Sequence, residues 1–206
     1  MSLTPPDSPP EPVRQLSLFG TEAADPSVAD LAGLLAGTGG VVRMGRTARL
    51  SIVVDAAWRV HVIVAELGLR GLSASWEGTE DQRYAVRTSY ARTLAPLATA
   101  WLAGGQRKRP PAGFHLNGRR LRLWLAAAGS AEETGFLLRL GDGDQDWWPS
   151  VRAALAAVGL PAALLEPDAG GPAFRIGGRR RLARLAELVG DRPPAAPPAD
   201  WPTPPG

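Results

Sequence analysis

Two stretches constrain the fold most: residues 31–40, Leu-Ala-Gly-Leu-Leu-Ala-Gly-Thr-Gly-Gly, and residues 121–129, Leu-Arg-Leu-Trp-Leu-Ala-Ala-Ala-Gly. Each reads as a short apolar helix of small residues closed by glycine, where a left-handed exit from the helix is expected. Small side chains at close spacing let two helix backbones approach. An ordinary core helix in an Ala-rich chain carries the same letters. The deciding question is whether the segments after each stretch also repeat.

Much of the order does. Asp25-Pro26-Ser27 is a helix start, and Gly39 and Gly40 break that helix. A hairpin of 41–45 and 47–54 comes next, its second strand alternating Ala48, Leu50, Ile52 and Val54 with Thr47, Arg49, Ser51 and Val53. Asp55 is expected to cap a helix over 56–67. A second hairpin pairs 71–77 with 83–89, and a helix covers 90–102. The second half brings a helix over 118–128, a strand over 134–140 and a helix over 147–158. A hairpin of 161–165 and 172–176 and a helix over 177–189 complete it. Only residues 130–133 stand where the first hairpin has its opening strand, so the second copy reads as abbreviated, short of one strand. Glu66-Leu67-Gly68-Leu69 and Ala157-Val158-Gly159-Leu160 occupy matching places. The expected organisation is a tail (1–25), a first repeat (26–105), a basic linker (106–116), a second repeat (117–190) and a Pro-rich disordered tail (191–206).

The charge is uneven. Residues 1–30 hold five acids against Arg14, whereas residues 31–190 hold 21 basic residues against 13 acidic, a net of +8. That balance suits a polyanionic partner. All basic residues but one are Arg. The absence of Cys excludes disulfides and thiolate metal sites. No apolar run is long enough for a bilayer, and residues 1–20 lack the pattern of a secretory leader, so a cytoplasmic, nucleoid-associated protein is expected.

The duplicated order, with Leu31, Ala32, Gly33, Leu34 and Gly39 in the first motif and Leu121, Ala127 and Gly129 in the second, resembles the LAGLIDADG fold of homing endonucleases. The amino-terminal domain of the sporulation regulator WhiA is the closer likeness. The resemblance implies an α+β molecule of two pseudo-symmetric αββαββα repeats. Their motif helices would pack at a pseudo-twofold axis, and two antiparallel sheets would form a saddle over double-stranded DNA. In the endonucleases an acid at the end of each motif helix holds a divalent cation. Here those positions are Thr38 and Ala128. Ala ligates nothing, and Thr is a poor ligand for Mg²⁺, which favours carboxylate oxygens. No catalytic residue, metal or cofactor is therefore expected, and the chain reads as a DNA binder rather than an enzyme.

On that fold the strand faces opposite the core point at DNA. They carry Arg49, Ser51, Arg83, Arg87, Arg139 and Arg175, with Arg43 and Arg46 in the first hairpin, all suited to phosphates and guanine edges. Arg107-Lys108-Arg109 and Arg179-Arg180-Arg181 read as phosphate contacts or solvated charge. His61 and His115 make no metal site by spacing. Asp142, Asp144 and Asp146 alternate as in a calcium loop, but Arg152 stands where the closing Glu belongs, so they read as a solvated turn. Trp58, Trp101 and Trp124 read as core, while Trp147-Trp148 can form an exposed pair, for which stacking on unpaired bases is not the favoured reading.

Gln15-Leu16-Ser17-Leu18-Phe19 resembles the bacterial sliding-clamp-binding pentapeptide at every position. The resemblance implies that Leu16, Leu18 and Phe19 enter apolar pockets of the DNA polymerase clamp and that the Gln15 amide bonds at their rim. The same side chains can instead fold back on the domain. The expected molecule is a monomer, DNA-binding and clamp-tethered, acting in replication, repair or regulation. Two alternatives stay open: a working endonuclease with a metal site relocated to Asp30 or Glu132, and a clamp-binding protein that does not touch DNA.

Overall fold

A computed structural model of the chain describes residues 25–102, 105, 107–141, 145–166 and 172–203. Residues 15–19, read above as resembling a clamp-binding peptide, Asp142, Asp144 and the turn at 168–171 lie outside these residues. The first repeat runs α1 (Ala32–Ala36, entered through a 3-10 turn at Val28–Leu31), β1 (Gly40–Met44), β2 (Thr47–Val54), α2 (Ala57–Gly68), β3 (Ala74–Gly78), β4 (Tyr84–Thr88) and α3 (Ala95–Trp101). The second runs α4 (Gly118–Ala128), β5 (Gly129–Glu132), β6 (Gly135–Arg139), α5 (Trp148–Ala157), β7 (Ala163–Leu165), β8 (Ala173–Gly177) and α6 (Arg179–Val189).

Each repeat forms a four-stranded antiparallel sheet, and the orders β1-β2-β4-β3 and β5-β6-β8-β7 are the same topology twice. The strand expected to be missing is β5. It is short, but it pairs with β6 from Gly129 opposite Leu138 to Glu132 opposite Gly135. The alternation that marks β2 has a plain cause. Ala48, Leu50, Ile52 and Val54 are buried under the helices, and the intervening residues lie on the other side.

Helices α1 and α4 pack against each other at the centre of the molecule. Their approach is close enough that a Cβ on Gly33 would lie 1.9 Å from the Arg120 carbonyl oxygen, and one on Gly37 would lie 2.5 Å from the Trp124 indole. Neither Gly37 (φ −98°) nor Gly129 (φ −88°) is left-handed. The expected left-handed exits are therefore not why glycine closes these two helices; at Gly33 and Gly37 the backbone of α1 lies against α4 with no room for a side chain. The left-handed glycines sit at other ends, Gly159 after α5 and Gly190 after α6 among them.

Three local expectations are corrected. Asp55 does not cap α2: the N-cap is Ala56, and the Asp55 carboxylate accepts from Arg59 Nε at 2.7 Å. Trp147 and Trp148 are both buried, because α5 folds over the second core, so neither is available for stacking on bases. The C-terminal segment to residue 203 is packed rather than loose. Trp201 is buried, its Nε1 donates to the Gly190 carbonyl at 3.2 Å, and the Arg122 guanidinium lies over its ring.

Candidate nucleic-acid interface

Strand register decides which side chains share a face, because directly paired residues point the same way. Ser51 is opposite Arg87, and Arg87 is opposite Ser75. Arg49, two residues from Ser51, is opposite Val42. Arg49, Ser51 and Arg87 thus form one patch across the first sheet, on the face away from the core. Arg49 lies over the Tyr90 ring at 5.0 Å, which holds its guanidinium near the sheet. Arg87 is ion-paired with Glu77 of the neighbouring strand, and both are solvent-exposed.

In the second sheet Arg175 is opposite Leu137 and Ala163, and Arg139 is opposite Ala173. Both Arg residues are exposed on the face away from Phe136, Leu138, Phe174 and Ile176. Glu132 lies on that face as well, at the turn into β6. Each outer surface therefore carries two Arg and one Glu among its strand residues, with Glu77 on the first and Glu132 on the second.

The remaining candidates fall elsewhere. Arg46 is exposed in the β1–β2 turn. Arg43 is opposite Ala48 and so has the parity of the helix-covered side; its Nε turns back to the Gly45 carbonyl at 3.1 Å. A turn of two residues, Gly45 and Arg46, sets that register, and it puts Arg43 out of phase with Arg49. Arg83 precedes β4 and bonds the Asp81 carboxylate through Nε at 2.5 Å. The Thr79 hydroxyl, and then Arg83, hold the Asp81 carboxyl below its ordinary value.

Sequence reasoning puts Val53 on the outer face with Arg49 but misses Val42 and Met44. All three are exposed apolar side chains with the parity of Arg49, set among the charged groups. An apolar side chain beside Arg in a major groove contacts thymine methyls. The parity of Val42 and Met44 is visible in the sequence, but an apolar residue in a strand reads as core.

The ends of the motif helices hold the largest departure from expectation. Lys108 is neither a phosphate arm nor solvated charge. Its ammonium donates to the carbonyls of Leu35 at 3.0 Å, Gly37 at 2.6 Å and Gly39 at 2.7 Å, and it lies 5.3 Å from the centre of the Trp147 ring. Arg59 does the same for α4. Its Nη1 reaches the carbonyls of Leu125 at 3.2 Å and Ala126 at 3.0 Å, and its Nη2 reaches that of Gly129 at 2.5 Å. The Trp124 indole lies against Gly37 and donates Nε1 to the Arg139 carbonyl at 2.9 Å. The Thr38 hydroxyl is buried beside this cluster with no hydrogen-bond partner among the described residues.

Of the acids that a relocated metal site would use, Asp30 is tied down at the other end of α1. It pairs with buried Arg70 at 3.2 Å and accepts from the Ser27 amide at 2.8 Å. Among the described residues no three His, Cys, Asp or Glu come together as a metal site. No helix among them is long and apolar enough to cross a membrane.

This architecture is the LAGLIDADG two-repeat saddle. The chain is similar to the homing endonuclease I-WcaI bound to its DNA recognition sequence, with 12% identity, 78% of each chain covered and a TM-score of 0.57. It is likewise similar to the N-terminal LAGLIDADG domain of WhiA, with 11% identity, 80% of this chain and 82% of that one covered and a TM-score of 0.54. No protein-family model and no curated protein sequence matches the chain.

Proposed function

We propose that the chain binds duplex DNA through the outer faces of its two sheets without cutting it, and that residues 15–19 tether it to a bacterial sliding clamp. The patch of Arg49, Ser51 and Arg87 carries the reading. It offers cations and a hydroxyl in register on an exposed sheet face, with apolar Val42 and Met44 alongside. Arg139 and Arg175 supply the second half, and Arg46 a turn contact. A similar structure, that of I-WcaI, holds DNA, which supports the same use of the saddle here. The motif acids are replaced by Thr38 and Ala128, so the chain lacks the carboxylates that metal-assisted phosphodiester cleavage needs.

On this reading the molecule acts as a monomer in the bacterial cytoplasm, on the nucleoid. Gln15 bonds the rim of the clamp, and Leu16, Leu18 and Phe19 fill its pockets. Two modest affinities add through the tether, because the clamp holds the domain at high local concentration on DNA. A mobility-shift series over salt tests the DNA half. Affinity falls steeply as salt rises, and Arg49→Ala/Arg87→Ala lowers both the affinity and the salt slope, by about 0.9 for each phosphate left without its arginine. Salt-independent binding, or none, rejects it. For the tether, clamp retains the wild type and releases Leu18→Ala/Phe19→Ala; equal retention rejects that half alone.

A further inference from the structure

An α-helix ends in carbonyls without intrahelical partners, and its C-terminus favours a cation. In the endonucleases that this fold resembles, the two motif-helix ends are where divalent cations belong. The residues present do not fit them, since Thr38 and Ala128 bring no carboxylate. Each end instead carries a cation of the chain itself. Leu35 and Gly39, whose carbonyls bind Lys108, lie 90 residues before Leu125 and Gly129, whose carbonyls bind Arg59. Thr38 and Ala128 are separated by the same 90 residues. Two of the three carbonyls at each end are therefore equivalent in the two repeats, the third being Gly37 at one and Ala126 at the other, although one cation comes from the linker and the other from α2.

The residue types match their sockets. Lys108 is the only lysine in a chain that otherwise uses Arg for every basic position. An ammonium is compact and has three donors, and it meets three carbonyls here. At α4 the planar fork of Arg59 spans three carbonyls and is held by Asp55 behind it and the Trp58 ring at 4.5 Å.

We propose that Lys108 and Arg59 are built-in replacements for the paired divalent cations of this fold. They hold the ends of the motif helices by fixed charge, so the centre of the saddle neither takes up metal nor needs it. Where DNA lies over that centre the inference rests on the function proposed above; the replacement itself does not.

The test titrates the full-length protein with Mn²⁺ and reads free Mn²⁺ by electron paramagnetic resonance. The wild type removes no stoichiometric Mn²⁺ from solution. Thr38→Asp/Lys108→Met, which supplies a carboxylate and vacates the three carbonyls, takes up one Mn²⁺ per chain, displaced by excess Mg²⁺. Stoichiometric uptake by the wild type, through Asp142 and Asp144 or any other ligand, overturns the proposal, as does a folded double variant with no uptake. If circular dichroism shows the double variant unfolded, the wild type still decides. Its DNA affinity, at matched ionic strength, agrees within about two-fold between EDTA and MgCl₂, and a gain of about ten-fold in Mg²⁺ overturns the proposal. A wild type that binds no DNA in either buffer sinks the DNA reading instead, and leaves the Mn²⁺ titration to judge the two cations.

Discussion

Glu77 sits beside Arg87 on the outer face of the first sheet, where a phosphate backbone would repel it. An exposed pair of this kind contributes only about 0–1 kcal/mol, so a phosphate can take Arg87 from it. On the proposed function, Glu77→Gln should therefore tighten DNA binding by about five-fold at low salt, with little effect on stability. Fluorescence anisotropy on a labelled duplex measures it; unchanged or weaker affinity would mean that this face lies off the DNA. The same scale explains why the candidate set is only partly legible in the sequence. Arg49, Ser51, Arg87, Arg139 and Arg175 sit inside strands, where alternation alone fixes the face. Arg43 and Arg83 sit at strand ends, where the register and an adjacent Asp81 decide where the guanidinium goes.

Helix α1 is five residues long, too short to hold itself together, so its geometry comes from its packing partners. Gly33 meets a backbone oxygen that cannot rotate away. Gly33→Ala should push α1 off α4 and cost about 3 kcal/mol, at the upper end of overpacking penalties. Gly68, at the last turn of α2, has nothing within 4 Å of the place a Cβ would take and no positive φ, so Gly68→Ala is the matched control. It should be neutral or stabilising by up to about 1 kcal/mol. Urea unfolding of the two variants tests the pair, and equal midpoints would show that the inter-repeat contact is not tight.

Across the whole molecule, the C-terminal segment belongs to the fold. Arg122 of α4 donates to the carbonyls of Val189 at 2.9 Å and Asp191 at 2.6 Å and stacks on Trp201. It also lies 3.4 Å from Glu66 of α2, so one side chain joins both repeats to the C-terminal segment. Removing residues 191–206 should cost about 3 kcal/mol, the scale of losing a buried Trp, and lower the melting temperature by about 9 °C. A calorimetric scan that does not move would show the segment to be dispensable.

The order of elements apart from β5, the duplication and the core faces of the strands are legible in the bare chain; β5 is four residues long and shows no alternation of its own. Each legible feature is written in neighbouring residues: a period of two in β2, a Gly after a helix, a Pro-Ser at its start. Folding alone settles the role of Gly33 against α4, the closing of α1 by Lys108 and of α4 by Arg59, and the burial of Trp147, Trp148 and Trp201. The partners in the helix-end contacts stand far apart in the chain, about seventy residues from Lys108 to Gly37 and from Arg59 to Gly129. Local pattern carries no record of a partner that distant; packing of the two repeats onto each other brings the groups together.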